Sequence, residues 1–530
     1  MRWPRSVWIP VLVAAAVVFG WGIGRLPLTN WDEGIYAHVN LELFRSHDWS
    51  ELTYYGQPFL EKPPLQFWLT MPLIGIFGPT ELAMRLWSVA AGIATALLIA
   101  FWSWQLWRQR TLSWFVAGAF IFGRFALYHA FRTGDLDGLL TFWITLALYS
   151  YWRSSDRPRW WLGWGVATAL AIMTKSFVGI VPIVVVGLDI LLGWRWRQIS
   201  WKHLALGLVS LVLVAAPWHI VETVRFGQAF WNDYLGLHVL ERTSVALFGT
   251  TPWWWYVPTL RIQFFPFSLF LPLAVLLAGR RWWRERDATS RLLMIWTLVV
   301  LGIFTLIQTR REWYILPLYP AAVLLIGQLW REKWVNGLSR LAKGMWWVSL
   351  IGVFAFLLQE LQHRGVLWNV TPYRFLPAAL WQQWPGRLAV AVVSALIVWL
   401  VARWLRGRRQ WSATQWAAGL TAALIMFLAM SWTVLYLRHL PRTLPLEQIA
   451  RRLQSMSGAS FTVVGVNLKG QPAGYFYLRR LDSNPFNEQP ARTPPLHPIV
   501  LTTTAANNAL VNQAGSVMMT ASPFVLVDLR

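Results

Sequence analysis

From Val7 to Leu437 the chain alternates long apolar runs with short clusters of Arg and Lys. The runs fall at about 7–26, 82–107, 112–131, 139–152, 160–173, 177–194, 204–221, 255–278, 292–307, 314–330, 345–358, 388–405 and 413–437. Crossing the hydrocarbon core takes about 20 apolar residues, so the pattern predicts a polytopic membrane protein with about 13 transmembrane helices. Basic clusters follow every second crossing: Arg108/Arg110, Arg153/Arg157/Arg159, Arg195/Arg197/Lys202, Arg280–Arg286, Arg331/Lys333 and Arg406/Arg408/Arg409. Cytoplasmic loops carry the excess of Lys and Arg. That puts the N-terminus, behind Arg2 and Arg5, in the cytoplasm and the alternate loops outside. The runs 160–173 and 177–194 are short, and they are read as a pair meeting at or near the outer surface at Thr174-Lys175-Ser176. The first run exceeds the usual signal-peptide core of about 7–15 residues and is read as an uncleaved helix.

After about residue 438 the pattern changes. Pro441 and Pro445 break the helix, LEQIARRLQSM has helical spacing, and SFTVVGV, HPIVLTTT and SPFVLVDLR are β-branched runs of strand length. The expected organisation is a membrane domain over 1–437, with an outer first loop at about 28–80, and a small extramembrane α/β domain over 438–530.

Composition agrees with this reading. The 530 residues are 56% hydrophobic and 13% charged, where a soluble protein has roughly 25% charged residues. The net charge of +24 sits in the topological clusters, which argues against a nucleic-acid surface. The absence of Cys removes disulfides, thiolate metal sites and a Cys nucleophile. There is no HExxH, EF-hand or glycine-rich nucleotide loop. No cofactor is implied with certainty, and a divalent cation held by scattered Glu and His stays open.

The carboxylates next to the apolar runs carry the chemistry. Asp32 and Glu33 follow the first span directly, and helix capping alone would explain them. Ile35, Val39, Leu43 and Phe44 then make an amphipathic helix lying along the surface. In QPFLEKPPLQFWL the two prolines hold Glu61 and Lys62 in a stiff turn. A surface ion pair worth almost nothing is the bland alternative. Asp135 and Asp137 begin the fourth span, where capping and function weigh equally. Lys175 between two apolar helices needs an anion or water; an outer phosphate would serve, and snorkelling competes. His238 and Arg242 share a helical face in LGLHVLERTS. Arg310, Arg311 and Tyr314 lie at the outer end of another span, against the positive-inside trend, which suits phosphate binding.

Taken in order, these segments resemble the polyprenyl-phosphate-dependent glycosyltransferases of the GT-C superfamily, above all bacterial relatives of the protein O-mannosyltransferases and of the lipid A aminoarabinose transferase. The resemblance spans roughly residues 25 to 330 and rests on WDEGIYA, FLEKPPLQFWL, PTELAMRLWSVAAG, LDGLLTFWITLALY, MTKSFVGIVP, HVLERTS, PWWWYVPTL and EWYILPLYPA. It implies an all-α membrane fold of the GT-C type. It further implies sugar transfer with inversion from a polyprenyl-phosphate donor to a lipid, glycan or protein acceptor, at the outer face of the cytoplasmic membrane. On this resemblance Asp32, Glu33 and Asp137 are candidates for catalysis. Tyr36, Glu61, Lys62, Asp135, Lys175, His238, Arg242, Arg310, Arg311 and Tyr314 are candidates for substrate binding. Three departures stand out: Ile35 where relatives often carry Arg, Ser176 where they carry Gly, and a tail without a specific match. A transporter or lipid flippase is the alternative, and it should show pseudo-symmetric halves with broken helices at the bilayer midplane.

Overall fold

The computed structural model describes residues 3–29, 31–127, 129–193, 199–241 and 251–331, with five strands and a few single residues of the C-terminal part; for 237–241 only the backbone is described. The predicted spans at 345–358, 388–405 and 413–437, the residue Arg242 and the His238 side chain lie outside the described residues.

Helix α1 (Arg5–Gly20) shows why the bundle needs a membrane. Val7, Val11, Ala15 and Val18, at helical spacing, are buried against its neighbours. Its opposite face, with Ile9, Val13 and Val17, is equally apolar yet exposed. The same holds on α9 (Trp201–Phe226), where Leu208, Val212, Leu213 and Val224 face outward. A helix that is apolar all round requires an apolar solvent. Among the described residues, five helical segments are long and apolar enough to cross a membrane: Glu81–Trp107, Trp160–Leu192, Trp201–Phe226, Ala288–Leu306 and Glu312–Arg331.

The chain leaves α1 through a turn at Gly22, whose φ of +72° suits glycine, and enters α2 (Asp32–Ser46). This helix lies over a second apolar cluster, with Val39 and Leu43 buried in it and Ile35 and Phe44 packed against it. A two-residue hairpin follows, β1 (Thr53–Tyr54) with β2 (Gln57–Pro58). Its turn residues Tyr55 and Gly56 both have positive φ, as a type I′ turn requires. Next come α3 (Leu65–Phe77) and α4 (Glu81–Trp107), whose cap Thr80 accepts a hydrogen bond from the Ala83 N–H.

Helix α5 (Arg110–Ile121) is shorter than its predicted span. The chain turns at Gly123, under the ring of Phe125, and runs as a loop to Asp135. Helix α6 (Leu136–Ser154) then packs on α7 (Trp160–Lys175), and α7 packs on α9. Glycines bring the backbones close: a Cβ on Gly165 would collide with the Gly207 carbonyl oxygen, and one on Gly163 would lie 3.0 Å from Ser150 Oγ.

The apolar stretch Trp160–Leu192 is a hairpin, not one long span. Lys175 ends α7 beside Asp137 at the start of α6, and Asp189 in α8 (Val181–Leu192) accepts from Tyr151 near the end of α6 at 2.7 Å. Asp137 and Tyr151 are separated by a rise of about 21 Å along one helix. So α7 runs to one end of the bundle and α8 returns, with the turn at Ser176 (φ +37°).

A short helix α10 (Gln228–Trp231) runs into a π-helical stretch, Asn232–Glu241. The predicted span at 255–278 is broken into α11 (Tyr256–Gln263) and α12 (Leu271–Glu285), around Pro266, which has no N–H to continue the helix. The fold continues with α13 (Ala288–Leu306), a 3₁₀ stretch Glu312–Leu318, and α14 (Tyr319–Arg331). Asp287 before α13 accepts from Gln328 of α14 at 3.2 Å, and Trp152 of α6 donates to Thr289 at 3.3 Å. The basic stretches around Arg153, Arg284 and Arg331 therefore share the end of the bundle opposite Asp137.

In the C-terminal part, strands β3 (Phe461–Val464), β4 (Phe486–Gln489), β5 (Ile499–Thr503), β6 (Ser516–Ala521) and β7 (Phe524–Asp528) form one sheet in the order β4-β3-β5-β7-β6. Strand β3 is parallel to β4 and β5, while β7 is antiparallel to β5 and β6. The Leu28 N–H donates to the Tyr477 hydroxyl at 2.8 Å, so this part touches the loop after α1.

Candidate active site

Two adjacent acids open α2, and the fold separates them. Glu33 is 1% exposed and fully engaged. It takes Arg85 in a two-pronged ion pair (Nε to Oε1 2.6 Å, a terminal nitrogen to Oε2 2.9 Å) and accepts from the N–H groups of Thr29 (2.6 Å) and Gly134 (2.7 Å). The rest of the Arg85 guanidinium donates to the carbonyls of Ile23, Leu26 and Pro27, each at 2.7 Å. A buried pair needs such complete partnering to offset desolvation. Asp32 stays half-buried. It is not the capping residue, since the cap position is Trp31, at φ +70°, but it stands in the first turn of α2, where the helix dipole favours an acid.

The loop before α6 brings the other acids to Asp32. Asp135, at the cap position of α6 without a side-chain capping bond, pairs with His129 (Oδ2 to Nδ1, 3.1 Å). The His129 ring stacks on Trp313 with centroids 3.9 Å apart and planes at 8°. Gln66, near the start of α3, donates to the Gly134 carbonyl at 2.6 Å and so ties this loop to the turn bearing Glu61 and Lys62. One turn into α6, Asp137 holds the ammonium of Lys175 at 2.7 and 2.8 Å. That ammonium lies 5.4 Å from the centroid of the Tyr314 ring.

Electrostatics tie these groups together. Burial, followed by the charges of Asp32, Asp135, Asp137 and Glu61, pushes the Tyr36 phenol well above its ordinary value. Burial is the largest influence on the His129 imidazole and would lower it, but Asp135, Asp32 and Asp137 together carry it up to about 9. For Asp135 burial is the largest single influence and works upward, but His129, Thr133 and Lys175 together outweigh it, so its carboxyl titrates below the usual range. Asp32, His129 and Asp135 offer ligand atoms within 4.8 Å of one another. Two carboxylates and an imidazole suit a divalent cation, although the His129–Asp135 pair uses the same atoms around a proton.

The other expected site residues are placed as follows. Lys62 is buried, 3.8 Å from the Glu61 carboxylate and 3.4 Å from its carbonyl oxygen, a loose contact beside half-buried Glu61. Arg310 is spent on the carbonyls of Thr251 (2.5 Å) and Thr305 (2.7 Å), where it braces the backbone. The Arg311 guanidinium lies 5.7 Å over the Trp313 ring.

The family model "Dolichyl-phosphate-mannose-protein mannosyltransferase" matches residues 61–220. The undecaprenyl phosphate-alpha-4-amino-4-deoxy-L-arabinose arabinosyl transferase of Pseudomonas aeruginosa (strain UCBPP-PA14) is 27% identical over 442 residues, covering 79% of this chain and 75% of its own. The Erwinia tasmaniensis protein of the same name is 30% identical over 309 residues, 56% of this chain and 54% of its own. The crystal structure of ArnT from Cupriavidus metallidurans bound to undecaprenyl phosphate superposes with a TM-score of 0.74 at 21% identity, covering 99% of both chains. The chain therefore has the fold of that ArnT.

Within this fold, the acids and cations come from α2, the loop before α6, α6 itself and α7, and they meet at one end of the bundle. The sequence reading missed Arg85, His129 and Trp313. Arg85 stood inside a quoted segment, PTELAMRLWSVAAG, but nothing in its spacing pointed to Glu33. His129 lies six residues before Asp135, a separation that no helix or strand period would bring together.

Proposed function

We propose that this chain moves a sugar from a polyprenyl-phosphate donor of the undecaprenyl type to a lipid, glycan or protein acceptor, with inversion, at the outer face of the cytoplasmic membrane. The observation that carries the reading is the cluster of Asp32, Asp135, Asp137, His129 and Lys175 at one end of an apolar bundle, opposite its basic loops. The names of the relatives, which include undecaprenyl phosphate, support the donor class.

In this mechanism Asp32, the half-buried acid of the first loop, accepts the proton from the acceptor hydroxyl or amine as that atom attacks the anomeric carbon. The carbon–oxygen bond to phosphate breaks on the opposite side, and the polyprenyl phosphate leaves with the electron pair. An ammonium has three N–H donors. Lys175 gives two to Asp137 and turns the third toward the leaving phosphate, with Lys62 as a second nearby cation. Asp137 thus serves by holding Lys175. Glu33 is assigned a structural role, because Arg85 and two backbone N–H groups occupy both its oxygens. Stabilising the leaving charge in a site that excludes water is usually the larger contribution to rate.

The finer organisation belongs to the same proposal: about thirteen spans, a cytoplasmic N-terminus behind the positive-inside loops, and an extracytoplasmic α/β domain over 438–530. Transfer from labelled polyprenyl-phosphate sugars by purified protein in lipid vesicles tests the function. If none of these donors is consumed, the reading fails.

A further inference from the structure

The segment between α1 and Asp32 is held by side chains from three parts of the fold. Arg85 of α4 takes the carbonyls of Leu26 and Pro27, each at 2.7 Å. Glu33 of α2 takes the Thr29 N–H at 2.6 Å. Between them the Leu28 N–H donates to the Tyr477 hydroxyl at 2.8 Å, across 449 residues of chain. Leu28 and Tyr477 are both fully buried. Water cannot take the place of that hydroxyl, and a buried N–H left without a partner is costly. The same phenol acts on the charge of Arg85. Three consecutive residues, Pro27, Leu28 and Thr29, are thus held in turn by Arg85, Tyr477 and Glu33, and Asp32 follows shortly after. The apolar packing repeats the pattern. Ile449, Phe476 and Tyr477 share one buried cluster with Tyr36, Phe59 and Leu136. Each of the last three stands beside an acid of the candidate site: Tyr36 one helical turn after Asp32, Phe59 shortly before Glu61, and Leu136 between Asp135 and Asp137. A close-packed interior transmits a displacement instead of absorbing it.

We infer that Tyr477 is a positioning residue for sugar transfer: by holding the Leu28 N–H it fixes the loop that leads into Asp32, which makes the C-terminal α/β part a component of the active site. Tyr477 works through the backbone between Leu28 and α2, not on the reacting atoms. The inference rests on the sugar-transfer reading above and extends it to a part of the chain to which that reading gives no task.

The test compares two variants. Tyr477→Phe removes the hydroxyl and keeps the ring. Leu501→Ala opens a cavity in the same cluster and leaves the Leu28 bond in place, so it measures what loosened packing alone does. Both are taken as full-length protein in lipid vesicles, with melting recorded first and a labelled polyprenyl-phosphate sugar as donor. A misplacement of about 1 Å can cost about 100-fold in rate, so Tyr477→Phe is expected to lose about tenfold or more in kcat with donor KM little changed. Hydrogen exchange should quicken in the peptide carrying Leu28 and stay as it was in α13. Leu501→Ala should melt below wild type and keep its kcat once the folded fraction is counted. A wild-type kcat in Tyr477→Phe overturns the inference. So does an equal loss of kcat in both variants, which would make Tyr477 a packing residue. A loss of kcat with unchanged exchange at Leu28 overturns it as well, because the effect would not pass through that bond. A wild-type protein that transfers nothing sinks the sugar-transfer reading itself, whereas an active wild type matched by Tyr477→Phe sinks only this inference.

Discussion

The ammonium of Lys175 rests on both oxygens of Asp137, at 2.7 and 2.8 Å, and joins the end of α7 to the start of α6. Both side chains are largely removed from solvent, with 14% and 4% exposed. Removing one partner of such a pair leaves a bare buried charge, at a cost of about 3–5 kcal/mol, while removing both is often close to neutral. Lys175→Met should therefore melt well below wild type in detergent. Asp137→Asn combined with Lys175→Met should regain most of that loss and still not transfer sugar. A double variant as active as wild type would remove the pair from the mechanism.

Asp32→Asn keeps the size of the side chain and removes its basicity. General-base assistance is worth about 10²–10⁴-fold, so transfer should fall by that range with donor binding little changed. Single-turnover transfer measured beside donor binding separates the two effects, and an unimpaired rate would clear Asp32 of the role.

Glu33 should behave in the opposite way to its neighbour. Glu33→Gln strips the charge that Arg85 faces in a buried site, and a loss of about 3–5 kcal/mol of stability is expected. The reading is the yield of folded protein and the melting temperature. A variant that melts like wild type yet fails in transfer would return Glu33 to the chemistry.

Glu42 carries the pH dependence of the first loop. It pairs with His38 at 2.6 Å and accepts from the Gly56 N–H at 3.2 Å, which ties α2 to the hairpin. Burial works against ionisation here, but the hydrogen bonds from His38 and Thr53, the His38 charge and the Gly56 N–H outweigh it, bringing the carboxyl from 4.5 down to about 2. A depressed carboxyl contributes stability that is complete above its unfolded value and is lost as pH falls through the folded one. The melting-point advantage of wild type over Glu42→Gln should be nearly full above pH 4.5 and be lost as pH falls through about 2. A difference that stays constant across that range would contradict the assignment.

Much of the bundle was legible because apolar length and basic loops are local signals. Each predicted span up to Trp330 corresponds to helix, and the turn at Thr174-Lys175-Ser176 lies where two short apolar runs met. Breaks inside spans were less visible: α5 stops at Ile121 because Gly123 and Phe125 fold the chain over, and Pro266 interrupts what reads as one continuous run. In the site, the acids could be named but not sorted. Successive helical residues point about 100° apart, so Asp32 and Glu33 had to face different surroundings. Which one met Arg85 depended on how α4 packs. His129 was invisible for the same reason, since only the packing of the loop against Trp313 gives it a role.

Helix α6 works as a ruler. Asp137 at its start holds Lys175, and Tyr151 near its end holds Asp189, which also takes Arg291 of α13 at 2.7 Å. Both marks are read by a single hairpin, α7 and α8. Inserting one residue between them would lengthen the helix by about 1.5 Å and turn one mark about 100° away from the other, and the hairpin could then meet only one. The segment 155–159 between α6 and α7 lies outside both helices, so it can take up a change of length that the interior of α6 cannot. The spacing of two buried acids thus sets a length to which this helix must keep.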